Sequence, residues 1–189
     1  MSTWAVLPVK SFGRAKTRTR LHDPERADLA ERMAGDVLRA LAEVRGLAGV
    51  LVVTREPRVA LLADDVVPDP DETGHSAAAL LGIEEALARG ARRVLLVPGD
   101  CPLMDATEVE ALLDFADAGV TIVPDRHGTG TNALVLDPPD VMAPAFGPGS
   151  FARHAALARA AGAAVRVRHV PSLAFDVDTP DDVAALAAA

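Results

Sequence analysis

Short apolar runs alternate with stretches of helical periodicity along the whole 189-residue chain, which is the pattern of an α/β architecture. Trp4–Val9 reads as a first strand, Gly49–Thr54 as a second and Val66-Val67 as a short third. Arg93–Val97 is the clearest buried strand, and Val120–Val123, Ala133–Leu136 and Val165–Val170 follow it. Leu29, Met33, Val37, Leu41 and Val44 recur at helical spacing behind Asp23-Pro24, a start in which Asp23 would be the N-cap. Further helices are predicted from Ser76 to about Arg89, from Asp105-Ala-Thr-Glu108 (which resembles a capping box), from Ser150 to about Ala161, and after Thr179-Pro180. Such alternation predicts a single domain over residues 1–189: a mostly parallel sheet with helices on both faces, a three-layer α/β/α fold. Ligands of such folds bind at the carboxyl ends of the strands.

Composition narrows the function classes. Half the residues are hydrophobic and 24% are charged, which argues against disorder. Only 3% are aromatic, with no Tyr and the single Trp4, so a base-stacking surface for nucleic acid is not expected. The net charge of -8 also opposes a polyanion-binding face, although a local basic patch can still hold a small anion. A lone cysteine, Cys101, excludes an internal disulfide and a CxxC zinc site. There is no 18-residue apolar run and no basic segment before Trp4–Val9, so the chain is expected to be soluble and cytoplasmic, with no membrane partner.

Two constellations carry chemistry. The first is Val97-Pro-Gly-Asp-Cys-Pro102, which stiffens a turn at the end of the central strand and places Asp100 where a hard divalent ion could sit. Mg²⁺ takes oxygen ligands, usually one or two carboxylates plus substrate phosphates. A second acidic cluster, Phe175-Asp-Val-Asp-Thr-Pro-Asp-Asp182, contains a plain helix start that accounts for Asp181 and Asp182 through the helix dipole. Asp176 and Asp178 are left over, and with Asp100 they would suit a phosphate-bound metal. The competing reading of Asp100 is a simple turn cap.

The second constellation is Lys10–Arg20, which follows the first strand and holds five of the 19 basic residues: Lys10, Arg14, Lys16, Arg18 and Arg20. That loop position is where α/β proteins bind phosphate. A solvated basic loop is the alternative, weakened by the mutual repulsion of the cluster. Neither a P-loop nor a dinucleotide fingerprint is present. Phe146-Gly-Pro-Gly-Ser150 is a rigid turn opening a helix, and the amides of Gly147–Phe151 suit a phosphate or carboxylate. The five histidines show no metal-ligand spacing and read as surface or packing residues, as does Cys101. Asp125 with Gly128-Thr-Gly130 reads as a turn.

Taken together, Leu7-Pro-Val-Lys-Ser-Phe-Gly-Arg-Ala-Lys-Thr-Arg18, Pro98-Gly-Asp-Cys-Pro102, Gly130-Thr-Asn-Ala-Leu134, Phe146–Phe151 and Phe175-Asp-Val-Asp-Thr-Pro180 resemble the 2-phospho-L-lactate/phosphoenolpyruvate guanylyltransferase family of coenzyme F-420 biosynthesis. That family lies in the MobA-like nucleotidyltransferase superfamily, whose Gly-rich first loop is replaced here by the basic one. The resemblance implies a nucleotide-diphospho-sugar-transferase-like domain. It implies nucleotide contacts at Pro8, Lys10, Arg14, Lys16, Asp69, Gly74 and Ser76, where many relatives carry Asn in place of Ser76. Lys16, Arg14 and Asp100 would be catalytic; Asp100 and Asp176, with Asp178, would hold Mg²⁺; and Thr131, Asn132, Gly147, Gly149 and Ser150 would bind the acid. The implied partners are GTP and a phospho-acid, with no nucleic acid and no membrane; a homodimer stays open. The implied reaction moves GMP from GTP to phosphoenolpyruvate or 2-phospho-L-lactate with release of pyrophosphate. The alternatives are a molybdenum-cofactor or sugar-phosphate acceptor, or a nucleotide-binding protein without turnover.

Overall fold

A computed structural model describes residues 2–188. Its strands are Thr3–Pro8 (β1), Leu47–Thr54 (β2), Val66–Pro68 (β3), Arg93–Leu96 (β4), Gly119–Pro124 (β5), Thr131–Asp137 (β6) and Val165–Val167 (β7). They form one sheet in the order β3-β2-β1-β4-β6-β5-β7. The helices are Asp23–Glu43 (α1), His75–Ala88 (α2), Ala106–Phe115 (α3), Ser150–Ala160 (α4), Pro171–Ala174 (α5) and Pro180–Ala187 (α6). Among the described residues, β6 alone runs against the other strands. The reason is local: the short Asp125–Gly130 link can close a hairpin but cannot make the crossover that a parallel neighbour needs. Asp125 fastens that link by accepting the amides of His127, Thr129 and Gly130 at 2.9–3.1 Å, so it serves the turn as expected.

Period-two alternation sorts the strand residues into two cores. Ala5, Leu7, Val52, Leu95 and Val135 face α1 and α3, meeting Val37, Leu41, Val109 and Leu112. Val6, Leu51, Val53, Leu96, Ile122 and Leu134 face the other way, against α2 and α4 at Ala79, Ile83, Ala155 and Ala158. Gly82 lets α2 lie close on the sheet, because a Cβ there would sit 2.2 Å from a Val6 methyl. A small third cluster joins Leu29 and Met33 of α1 to Val177, with Val183 and Leu186 of α6 packed against it. It presses the Phe175–Asp178 segment onto the start of α1.

Several boundaries differ from expectation. Asp23 is the first residue of α1 and not its cap; His22 precedes the first turn and Pro24 lies inside it. Asp105 caps α3 by accepting the Glu108 amide at 2.9 Å, but the Glu108 carboxylate reaches the Ser172 amide instead of closing a capping box. The last strand stops at Val167, since Val170-Pro171 starts the short α5, where proline is favoured. No helix among the described residues is long and apolar enough to cross a membrane.

Candidate active site

The carboxyl ends of adjacent β1 and β4 open into one cleft. After β4 the Val97 amide still bonds the Val6 carbonyl at 3.1 Å, and the Pro98-Gly99 turn then delivers Asp100. The segment after β1 is not a free loop. It folds into two 3-10 turns, Phe12–Arg14 and Thr17–Thr19, anchored by the buried Phe12 ring. Two carboxylates hold its amides: Glu72 accepts from Ser11 at 2.5 Å and Glu56 from Phe12 at 2.9 Å. Glu72 also pairs with Arg14 at 2.9 Å. Neither glutamate stands out in the sequence, because nothing local ties it to a loop 44 or 61 residues earlier.

Lys16 is the centre of the arrangement. Its backbone is left-handed (φ 54°), which turns the side chain inward, where only 9% of it is exposed. The ammonium lies 2.5 Å from Asp100 Oδ2 and 3.0 Å from Asp178 Oδ1, while Arg18 pairs with the second Asp178 oxygen. Burial alone would lower the Lys16 pKa; Asp100 and Asp178 outweigh it and hold the pKa raised. Asp176 stands alongside and receives the Asn132 amide at 3.5 Å. Burial first, then the neighbouring Asp100 charge, push its carboxyl pKa up. The Val177 amide donates to the Asp100 carbonyl at 3.1 Å, which locks the two acidic turns together.

The expected metal trio is therefore brought into one neighbourhood, but not into a ready cage: among the described residues no three His, Cys, Asp or Glu side chains converge as ligands. Asp100 and Asp178 share one cation position, filled by the Lys16 ammonium. Their donor set, hard oxygens only and few of them, fits Mg²⁺ that draws its remaining ligands from phosphates and water. Cys101, buried behind this turn against the Leu173 carbonyl, has its thiol pKa pushed well up by burial and is no nucleophile.

Lys10, Arg14, Lys16 and Arg18, with Asp100, Asp178 and Pro8, line a cavity of about 260 Å³. A neighbouring one of about 250 Å³ adds Asp69, Glu72 and Gly74. His75 lines both, although no ligand spacing along the chain singles it out. Asp69 is buried and accepts the Glu72 amide at 3.1 Å, shaping the turn that holds Glu72. Ser76 lines neither cavity; its hydroxyl accepts the Phe146 amide at 2.8 Å and ties α2 to the turn before α4.

The five residues expected to hold the acid gather on β6 and at the start of α4, outside those two cavities. Thr131 Oγ1 lies 3.0 Å from His154 Nδ1, and Asn132 donates to the Leu173 carbonyl at 2.7 Å. The amide cradle is narrower than expected. The Ser150 amide bonds the Gly147 carbonyl and the Phe151 amide bonds the Thr129 carbonyl, while the Ser150 side chain is buried. The amides of Gly147 and Gly149 have no protein acceptor among the described residues. Both glycines have positive φ, 110° and 71°. Phe146 stands between the two halves, edge-on to His75 at 4.4 Å and to His154 at 5.0 Å.

Comparison with known proteins places this arrangement in context. The family described as "Guanylyl transferase CofC like" matches residues 3–188. A phosphoenolpyruvate guanylyltransferase of Conexibacter woesei is 49% identical, covering 98% of this chain and 87% of that protein. A phosphoenolpyruvate guanylyltransferase of Sphaerobacter thermophilus is 42% identical, over 99% and 93%. The solved structure of a nucleotidyl transferase from Methanothermobacter thermautotrophicus superimposes with a TM-score of 0.68 at 17% identity, covering 98% of this chain and 95% of that one. That last likeness concerns the fold.

Proposed function

The chain belongs to the CofC-like guanylyl transferase family, and from that membership we propose that it transfers GMP from GTP to a small phosphorylated acid. The relatives' names favour phosphoenolpyruvate as the acid, with 2-phospho-L-lactate its close alternative. The product would be the GMP-linked acid of coenzyme F-420 biosynthesis. A phosphate oxygen of the acid attacks the α-phosphorus of GTP, the bond to the β-phosphate oxygen breaks, and pyrophosphate leaves.

No general base is needed, because the second pKa of a phosphate monoester is about 6 and the nucleophile is already ionised at neutral pH. The protein's task is to bring two anions together and to neutralise charge on the leaving group. Lys16 is the residue best placed for this, a buried ammonium at the meeting point of the acidic turns. Arg14, Lys10 and Arg18 extend positive charge along the same cleft. Asp100 and Asp178, with Asp176 beside them, would hold Mg²⁺ in the position the Lys16 ammonium now fills, which would free that ammonium for the phosphates. When bound, the ion would supply positive charge next to the reacting phosphates. Gly147 and Gly149 offer amides to the acid, and Thr131 offers a hydroxyl.

The observation that carries this reading is the Lys16 ammonium held between Asp100 and Asp178 at the strand ends. It is tested by measuring pyrophosphate release with each phospho-acid and each nucleoside triphosphate in the presence of Mg²⁺. Release with GTP and phosphoenolpyruvate or 2-phospho-L-lactate is expected. Release only with a sugar phosphate or a pterin phosphate, or GTP binding without release, would replace the proposal.

A further inference from the structure

We propose that His154 is a positioning residue for the acid site: it donates from Nδ1 to Thr131 Oγ1 and so reserves the Thr131 hydroxyl hydrogen for an oxyanion of the substrate. The inference rests on the reading of Thr131 as an acid contact. His154, on α4 one turn after its start, is fully buried. Its Nε2 receives the Ala145 backbone amide at 2.8 Å. A backbone amide can only donate, so Nε2 must carry the lone pair. A neutral ring with a lone pair on Nε2 bears its hydrogen on Nδ1, and Nδ1 lies 3.0 Å from Thr131 Oγ1.

The ring is neutral for a separate reason. Burial, with Arg153 and His75 nearby, pushes its pKa down to about 4. The tautomer then fixes the sense of the next bond. A threonine hydroxyl has one hydrogen and two lone pairs. With Nδ1–H already donating to it, the Thr131 hydroxyl cannot give its hydrogen to the ring. Among the described residues Oγ1 has no other partner. The opposite tautomer would turn the hydroxyl hydrogen toward Nδ1 and leave only lone pairs for an anion, a repulsive arrangement.

The Ala145 amide that selects the tautomer belongs to the same turn as Gly147 and Gly149, and Phe146 packs edge-on against the His154 ring. One buried imidazole thus sets both the turn and the direction of the hydroxyl. The ligand class it prepares for is a small oxyanion, carboxylate or phosphate.

Two kinds of measurement test this. Nitrogen NMR of the imidazole in the wild-type protein should show Nδ1 protonated and Nε2 bare; a protonated Nε2 overturns the proposal without any variant having to fold. In kinetics, H154Q keeps an acceptor for the Ala145 amide but lacks the donor toward Thr131. Its KM for the acid should rise at least about tenfold, the scale of one hydrogen bond to a charged group, with KM for GTP and kcat within about twofold. H154N, which keeps a donor near the Nδ1 position, should recover part of that loss. T131V should raise the acid KM similarly, and adding H154Q to it should change little more. Equal rises in both KM values, or additive losses, would reduce His154 to a packing residue. If the wild type turned over no phospho-acid at all, the acid-site reading itself would fall, a result distinct from a silent H154Q in an active enzyme.

Discussion

Replacing Asp182 by asparagine should unsettle the last helix and the acidic turn before it together. Asp182 is only 5% exposed, yet its carboxylate is fully engaged. One oxygen accepts the Asp178 amide at 2.9 Å, the Thr179 amide at 2.8 Å and the Thr179 hydroxyl at 2.9 Å; the other accepts Arg126 at 2.6 Å. Burial alone would raise its pKa, but the Asp178 and Thr179 donors, and then Arg126, lower it to about 2 from an ordinary 3.8. That difference corresponds to about 2 kcal/mol of stability from the charged form. The sign is that of a depressed carboxylate: the contribution is complete above about pH 4 and is lost as the pH falls through about 2, roughly half of it remaining at pH 3. For a chain of this length the loss corresponds to a melting temperature lower by about 4–8 °C. Urea unfolding of wild type and Asp182→Asn, followed by circular dichroism at pH 7, 4 and 3, reads the effect. The gap between the two midpoints should be full at pH 7 and 4 and visibly smaller at pH 3. A gap that is absent at pH 7, or that stays constant across the series, would show that this charge does not hold the turn.

Asp100→Asn and Asp176→Asn should each cut pyrophosphate release by at least about a hundredfold with little change in melting temperature; a near-wild-type rate would remove that carboxylate from the reaction. Gly149→Ala should raise the acid KM well above the GTP KM. The cause would not be crowding, since a Cβ there meets no atom within 4 Å, but the left-handed φ of 71°, which costs an alanine about 1–2 kcal/mol and shifts the turn; parallel changes in both KM values would place the turn outside the acid site. His154, with its pKa near 4 against an ordinary 6.5, takes up a proton more readily unfolded than folded. Its contribution to stability should be intact above about pH 6.5 and fall by about 2 kcal/mol by pH 5, and a urea midpoint that dropped equally in H154Q over that range would assign the loss to other groups.

Much of the molecule is legible from local pattern. The alternation in β1, β2, β4 and β6 decides which residues face α1 and α3 and which face α2 and α4, because successive side chains of a strand point to opposite faces. Proline and glycine mark the Asp100 turn and the start of α4, since their backbone preferences act within a few residues. The basic cluster after β1 and the aspartates at 100, 176 and 178 are visible as chemistry without partners. What tertiary structure alone decided is how those pieces pair. Lys16 meets Asp100 and Asp178 across 84 and 162 residues, which depends on β1 lying beside β4 and on Val177 packing against α1. Glu56 and Glu72 become clamps of the basic segment and Ser76 holds the Phe146 amide, each through a hydrogen bond spanning 44 to 70 residues, while the Ala145 amide bonds His154 from the turn before α4. Periodicity and turn preferences are properties of neighbouring residues, whereas an ion pair or a tautomer is set by whichever donors and acceptors strand order and helix packing bring within 3 Å.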